Sequence, residues 1–182
     1  MRALAAAAIA VWSLAAGVLI GYALNLWIGD DDSRTVTIKQ LVLRPPEAVN
    51  RTQLALLAAA EARDYEAVRR LIPSNGFSYT FGGPVRGGPI AFWQQLERTG
   101  ERPLQTLSAL LQMPWTMSVD GGTYIWPRAY NLSDAVYLSD DEREQLSRLG
   151  DVDKMFIPGT GYIGWRVGIA RFGAWTFFVA GD

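Results

Sequence analysis

The chain has 182 residues, of which 49% are hydrophobic and 19% are charged, so its size and composition are typical of one folded domain and not of a disordered chain. Its 17 basic and 18 acidic residues give a net charge of −1 without a block of like charge, so nucleic acid is not predicted as a partner. The chain contains no cysteine and no histidine. This absence excludes disulfides, thiol nucleophiles, zinc sites with nitrogen or sulfur ligands and catalytic triads whose base is imidazole.

Residues 3–28 form an uncharged segment near the N-terminus. A helix of that length measures about 39 Å, which exceeds the ~30 Å hydrocarbon core of a bilayer. We therefore predict a transmembrane anchor over residues 1–29, in contact with lipid. Arg2 precedes the segment and Asp30, Asp31 and Asp32 follow it. By the positive-inside rule, the N-terminus lies in the cytoplasm and the rest of the chain on the periplasmic or extracellular side of a bacterial inner membrane.

The alternative is a cleavable signal peptide. Such a peptide has a shorter apolar region, of roughly 7 to 15 residues, followed by a site with small residues. Gly21-Tyr22-Ala23 resembles that site weakly, so the retained anchor is the favoured interpretation.

Small or polar residues recur at every fourth position of the anchor and would share one face of a helix. They are Ser13, Gly17, Gly21 and Asn25. Small residues let two helix backbones approach closely in lipid, and polar side chains form hydrogen bonds across the contact. This pattern predicts packing against transmembrane helices of other subunits. The alternative is a chance spacing within a segment rich in alanine.

Residues 30–46 are predicted to form an extended juxtamembrane arm, because the TVTIKQLVL sequence alternates and is rich in β-branched residues. The extracytoplasmic domain then spans residues 47–182. Its first helix is predicted from Pro46 to about Ala62. A second, short helix is predicted between Asp64, as its N-cap, and Pro73.

Phe77–Phe81 is predicted to be a strand, and two further helices are predicted to open at Pro89 and near Pro103. A short hairpin is expected around Asp120-Gly121-Gly122, since its glycines tolerate the positive φ of such a turn. Ser139 opens a capping box that predicts a helix ending at Leu149.

Residues 161–182 are predicted to form one long hairpin, in which Ile163, Trp165, Val167 and Ile169 alternate along the first strand. Helices come first and strands last in this arrangement. The expected fold class is α+β, a single domain with a small antiparallel sheet packed against helices.

The LALLAAAEARDYEAVRRLI segment followed by FSYTF resembles the opening of the NTF2-like (SnoaL-like) fold, in which two helices precede the first strand. The wider pattern of FSYTFGG, TYIWP and GYIGWRVGI with a C-terminal FFVAGD is similar to uncharacterised exported or membrane-anchored bacterial proteins. The first resemblance implies an α+β cone. The second implies a domain type without an assigned activity.

Trp126, Arg128 and Tyr130 form the candidate interface, because exposed Trp, Tyr and Arg are typical anchors of protein–protein contacts. The alternative is that they pack in the core or in a loop. No catalytic, cofactor-binding or metal-binding residues are predicted. The carboxylates cluster in runs typical of solvated surfaces, and the glycines between Gly82 and Gly88 lack the Gly-Lys-Ser/Thr sequence of a phosphate loop.

These features favour a single-pass accessory or structural subunit of a larger bacterial membrane complex, whose outer domain caps or braces the assembly. Its expected partners are transmembrane helices and extracytoplasmic surfaces of other subunits. The alternative is a membrane-tethered NTF2-like ligand-binding domain or hydrolase, with an apolar pocket lined by Tyr79, Trp126 and Trp165.

Overall fold

The computed structural model describes residues 44–181. The predicted anchor, the predicted arm up to residue 43 and the stripe of Ser13, Gly17, Gly21 and Asn25 lie outside the described residues. Within residues 44–181, none of the helices is long and apolar enough to cross a membrane.

Five α-helices form where the capping and proline signals predict them. They are α1 (Glu47–Glu61), α2 (Tyr65–Leu71), α3 (Gly88–Arg98), α4 (Pro103–Leu111) and α5 (Asp140–Ser147). The carboxylate of Asp64 caps α2 by accepting the backbone N–H groups of Glu66 and Ala67. The predicted capping box between Ser139 and Glu142 is present at α5. This helix ends at Ser147, two residues before the predicted Leu149.

Six short strands complete the fold, which is α+β with a small antiparallel sheet packed against helices. They are β1 (Thr116–Met117), β2 (Thr123–Trp126), β3 (Phe156–Ile157), β4 (Gly161–Tyr162), β5 (Arg166–Ala170) and β6 (Trp175–Val179). The main sheet has the order β1-β2-β5-β6, with each neighbouring pair antiparallel. The predicted hairpin around Asp120 is confirmed as the β1–β2 pair. Strands β3 and β4 form a separate ribbon.

The prediction of a strand over Phe77–Phe81 is wrong in extent. Only Ser78 forms a bridge, parallel to Phe177. The chain then reverses, because the Tyr79 hydroxyl accepts a 2.9 Å hydrogen bond from the backbone N–H of Val85.

The single hairpin predicted for residues 161–182 is also corrected. The Tyr162 hydroxyl donates a 3.0 Å hydrogen bond to the Trp165 carbonyl, and the chain bends between them. Residues 161–162 therefore pair with β3, and the hairpin begins only at Arg166. All five residues of β5 are buried instead of alternating, and α1 and α4 pack against this central strand.

An aromatic cluster forms the part of the core where α3 meets the sheet. The Trp93 ring lies 5.8 Å from that of Trp175 and 5.4 Å from that of Phe178, measured between centroids. These three side chains are almost completely buried. Elsewhere α1 and α4 pack together over β5 through fully buried leucines such as Leu56 and Leu107.

Candidate interaction surface

The two ends of the main sheet carry different side chains. The antiparallel register pairs Trp126 with Val167 and Arg166 with Val179 at one end. At the other end Thr123 pairs with Ala170, next to the turns of both hairpins. We call the first the aromatic end. The second, made of residues 118–122 and 171–174, is called the turn end.

Three residues at the aromatic end form what we call the Phe81–Arg166–Tyr130 patch. The guanidinium carbon of Arg166 lies 5.0 Å from the ring centroid of Phe81 and 5.7 Å from that of Tyr130. These are cation–π distances. Arg166 is only 8% exposed, whereas Phe81 is 52% and Tyr130 38% exposed. A buried cation thus lies between two aromatic rings that remain open to solvent.

The segment after β2 places Tyr130 at this position. The Trp126–Pro127 peptide bond is cis, and a 3-10 turn follows over Arg128–Asn131. The Asn131 side-chain amide ties this turn to β1 by donating to the Thr116 hydroxyl at 2.6 Å and to the Met117 carbonyl at 3.0 Å. The ring of Tyr130 is therefore presented from a segment that is fixed to the edge of the sheet.

The Arg128 side chain is not part of this patch. It forms an ion pair with Glu142. Its Nε donates to Glu142 Oε1 at 2.6 Å, and its Nη2 donates to Oε2. The same carboxylate accepts hydrogen bonds from the backbone N–H and the hydroxyl of Ser139, at 3.0 and 2.9 Å. Burial raises the pKa of Glu142, but these hydrogen bonds outweigh it, and the pKa lies below its ordinary value. The pair joins the 3-10 turn to the start of α5.

The structure separates the three residues of the predicted interface. Trp126 is fully buried in the core, so the core-packing alternative describes it. Arg128 is ion-paired, and only Tyr130 lies on an exposed aromatic surface. Sequence reasoning missed Phe81 and Arg166. The sequence feature that could have indicated this site is Arg166, because it is the one charged residue within the apolar segment of residues 162–170.

Two surface grooves lie elsewhere on the domain. A groove of about 380 Å³ runs between α1 and α2 and is lined mainly by alanines. A second groove of about 480 Å³ is lined by the segment that joins α3 to α4, the first turn of α4, the two residues after α5 and Trp165. Of the three residues predicted to line a deep apolar pocket, Trp165 alone lies on either of these grooves, and Trp126 fills the core. Within residues 44–181, no group of three or more acidic side chains is arranged to hold a metal ion.

The described residues define an α+β domain with a four-stranded antiparallel sheet and an aromatic–arginine patch at one end of that sheet. Comparison with known proteins finds no family model, no curated protein and no solved structure that matches this chain. The NTF2-like resemblance and the resemblance to exported bacterial proteins therefore stay predictions.

Proposed function

We propose that this chain is a single-pass accessory subunit of a bacterial membrane complex, and that its domain docks on a partner subunit through the Phe81–Arg166–Tyr130 patch. The uncharged segment of residues 3–28 supports the membrane anchor. The patch is the observation that carries the docking role.

The chemistry of the patch suits a protein partner. Aromatic residues and arginine are enriched among the residues that dominate binding energy. Aromatic rings bury a large area at a small cost in conformational entropy. The rings of Phe81 and Tyr130 still have area to bury. Arg166 holds a position between them. The surface is thereby organised before the partner arrives, which lowers the entropic cost of binding.

The ligand-binding alternative depends on a pocket that includes Trp126. The Trp126 side chain is fully buried within the hydrophobic core. We therefore favour the docking function.

The test is isolation of the tagged full-length protein from native membranes in mild detergent, with mass spectrometry of its partners and of its own N-terminus. We expect stoichiometric partners and an intact Met1. Phe81→Ala and Tyr130→Ala should each weaken recovery of the partner, by about 1 to 2 kcal/mol or roughly 5- to 30-fold in affinity.

The matched control is Leu54→Ala, which removes an apolar side chain of 55% exposure from α1. This variant should keep its partners. Recovery of the same partners with Phe81→Ala and Tyr130→Ala would contradict the docking surface. A protein that is isolated alone and begins near Leu24 would contradict the membrane subunit itself, because it would show that the segment is a cleaved signal.

A further inference from the structure

The turn end carries two exposed apolar side chains, one on each of its two turns. Val119 in the β1–β2 turn is fully exposed, and Phe172 in the β5–β6 turn is 79% exposed. The backbone N–H of Arg171 donates a 2.9 Å hydrogen bond to the Gly122 carbonyl, which joins the two turns. Both apolar side chains therefore project from one end of the sheet.

The described chain enters the domain at this same end. Gly173 has φ +95°, and a Cβ there would lie 2.8 Å from the Ala48 carbonyl oxygen. The Thr52 hydroxyl donates a 2.7 Å hydrogen bond to the Gly173 carbonyl. The β5–β6 turn is thus packed on the first turns of α1, only a few residues after Arg44.

The sequence before Arg44 indicates which kind of surface the turn end contacts. The uncharged segment ends at Ile28, and 15 residues separate it from Arg44. Even a fully extended chain of that length spans at most about 55 Å. With residues 3–28 as the anchor, the linker keeps the bilayer within that distance of Arg44, where the described chain enters the domain.

The charges at this end fit an anionic membrane surface. Arg171 and Arg44 are exposed, and Arg171 adjoins Phe172. An aromatic ring in the interfacial layer with an arginine at the headgroup level is a common pattern of membrane contact. The acidic residues at this end are Asp120, whose carboxylate accepts hydrogen bonds from the Ser118 hydroxyl and the Gly122 N–H, and Glu47, which is paired with Arg51.

We propose that Val119 and Phe172 insert into the interfacial layer of an anionic bilayer and orient the domain on the membrane. This proposal rests on the proposed membrane anchor. It also directs the Phe81–Arg166–Tyr130 patch away from the lipid, because Arg166 and Ala170 are at opposite ends of β5, about 13 Å apart at the usual rise per residue.

The lack of cysteine makes a site-specific test direct. Single Phe172→Cys and Val119→Cys variants of the full-length protein are labelled with the fluorophore NBD and reconstituted into nanodiscs of phosphatidylcholine and phosphatidylglycerol. Phe81→Cys, at the aromatic end, is the matched control. We expect doxyl-labelled lipid to quench the label at positions 119 and 172 and to leave the label at position 81 unchanged. Circular dichroism verifies that each variant is folded.

The other outcomes distinguish a failure of the lipid contact from a failure of the membrane anchor. If the protein enters the nanodisc but no label is quenched by doxyl lipid, the lipid contact is overturned and the anchor stands. If the label at position 172 is protected from aqueous iodide without quenching by doxyl lipid, the turn end contacts protein and the lipid contact is again overturned. If the full-length protein does not enter nanodiscs at all, the membrane anchor fails, and the lipid contact that depends on it fails too.

Discussion

Two arginines at the aromatic end have different surroundings, and the difference decides what each can do. Arg128 is held by a carboxylate that is itself fixed by Ser139, so the guanidinium joins two segments of the domain. Arg166 lies between the rings of Phe81 and Tyr130 and contributes to a surface. The same residue type therefore stabilises the fold at one position and organises an exposed patch at the other.

The Arg128–Glu142 pair is predicted to stabilise the domain. Glu142→Gln should lower the free energy of unfolding by about 2 to 3 kcal/mol, because it leaves a largely buried guanidinium without its charged partner. The measurement is urea denaturation at neutral pH. The matched control is Glu144→Gln on the same helix, where the Glu144–Arg148 pair is exposed and is expected to contribute no more than about 0.5 kcal/mol. Equal effects of the two variants would contradict the prediction.

The contribution of Glu142 is also expected to depend on pH. Its pKa in the folded state is below its ordinary value of about 4.3, so the stabilisation is fully present above that value and is lost as the pH falls through the folded-state pKa. The difference in unfolding free energy between the native protein and Glu142→Gln should therefore narrow on acidification below about pH 4. A difference that stays constant down to about pH 3 would argue against an ionised Glu142 in the folded protein.

At the scale of secondary-structure elements, β5 is a central strand of the main sheet. It pairs with β2 on one side and β6 on the other, and helices α1 and α4 cover it. Gly168 in this strand lies opposite Phe177, whose ring occupies the space of the missing side chain. Glycine inside a strand often marks such a close approach.

Gly168→Ala should therefore destabilise the domain, by about 1 to 3 kcal/mol, because the added methyl group overlaps the Phe177 ring. Thermal and urea unfolding measure the loss. In the double variant Gly168→Ala with Phe177→Ala, the overlap is absent, and the total loss should be smaller than the sum of the two single losses. Additive losses of stability would show that overlap with the Phe177 ring does not cause the destabilisation by Gly168→Ala.

At the scale of the whole molecule, the described residues enclose a hydrophobic core of their own. The cluster of buried side chains extends from Val49 to Phe178. It brings all five helices and the main sheet into one packed unit.

A chain that begins at Arg44 is therefore predicted to fold without detergent and to unfold in one cooperative transition. Far-ultraviolet circular dichroism and tryptophan fluorescence should report the same urea midpoint. Midpoints that differ between the two probes would contradict a single cooperative transition.

The sequence by itself determined the helices, the fold class and the β1–β2 hairpin. Each of these depends on local signals. Proline and capping residues set helix starts, as at Asp64 and Ser139, and the glycines after Asp120 allow a tight turn. Such signals act over a few residues, so they can be identified in the printed sequence. The expected anchor and its small-residue stripe are likewise sequence predictions, and they lie outside the described residues.

Only the tertiary structure decided which aromatic residues are exposed. Trp126 and Tyr130 are four residues apart, yet one fills the core and the other belongs to the patch, because β2 ends at Trp126 and a 3-10 turn over Arg128–Asn131 follows it. Phe81 and Arg166 are 85 positions apart in sequence and meet only because Ser78 pairs with β6 beside β5. Contacts between distant segments depend on how strands pair and helices cover them, and periodicity within a single segment does not contain that information.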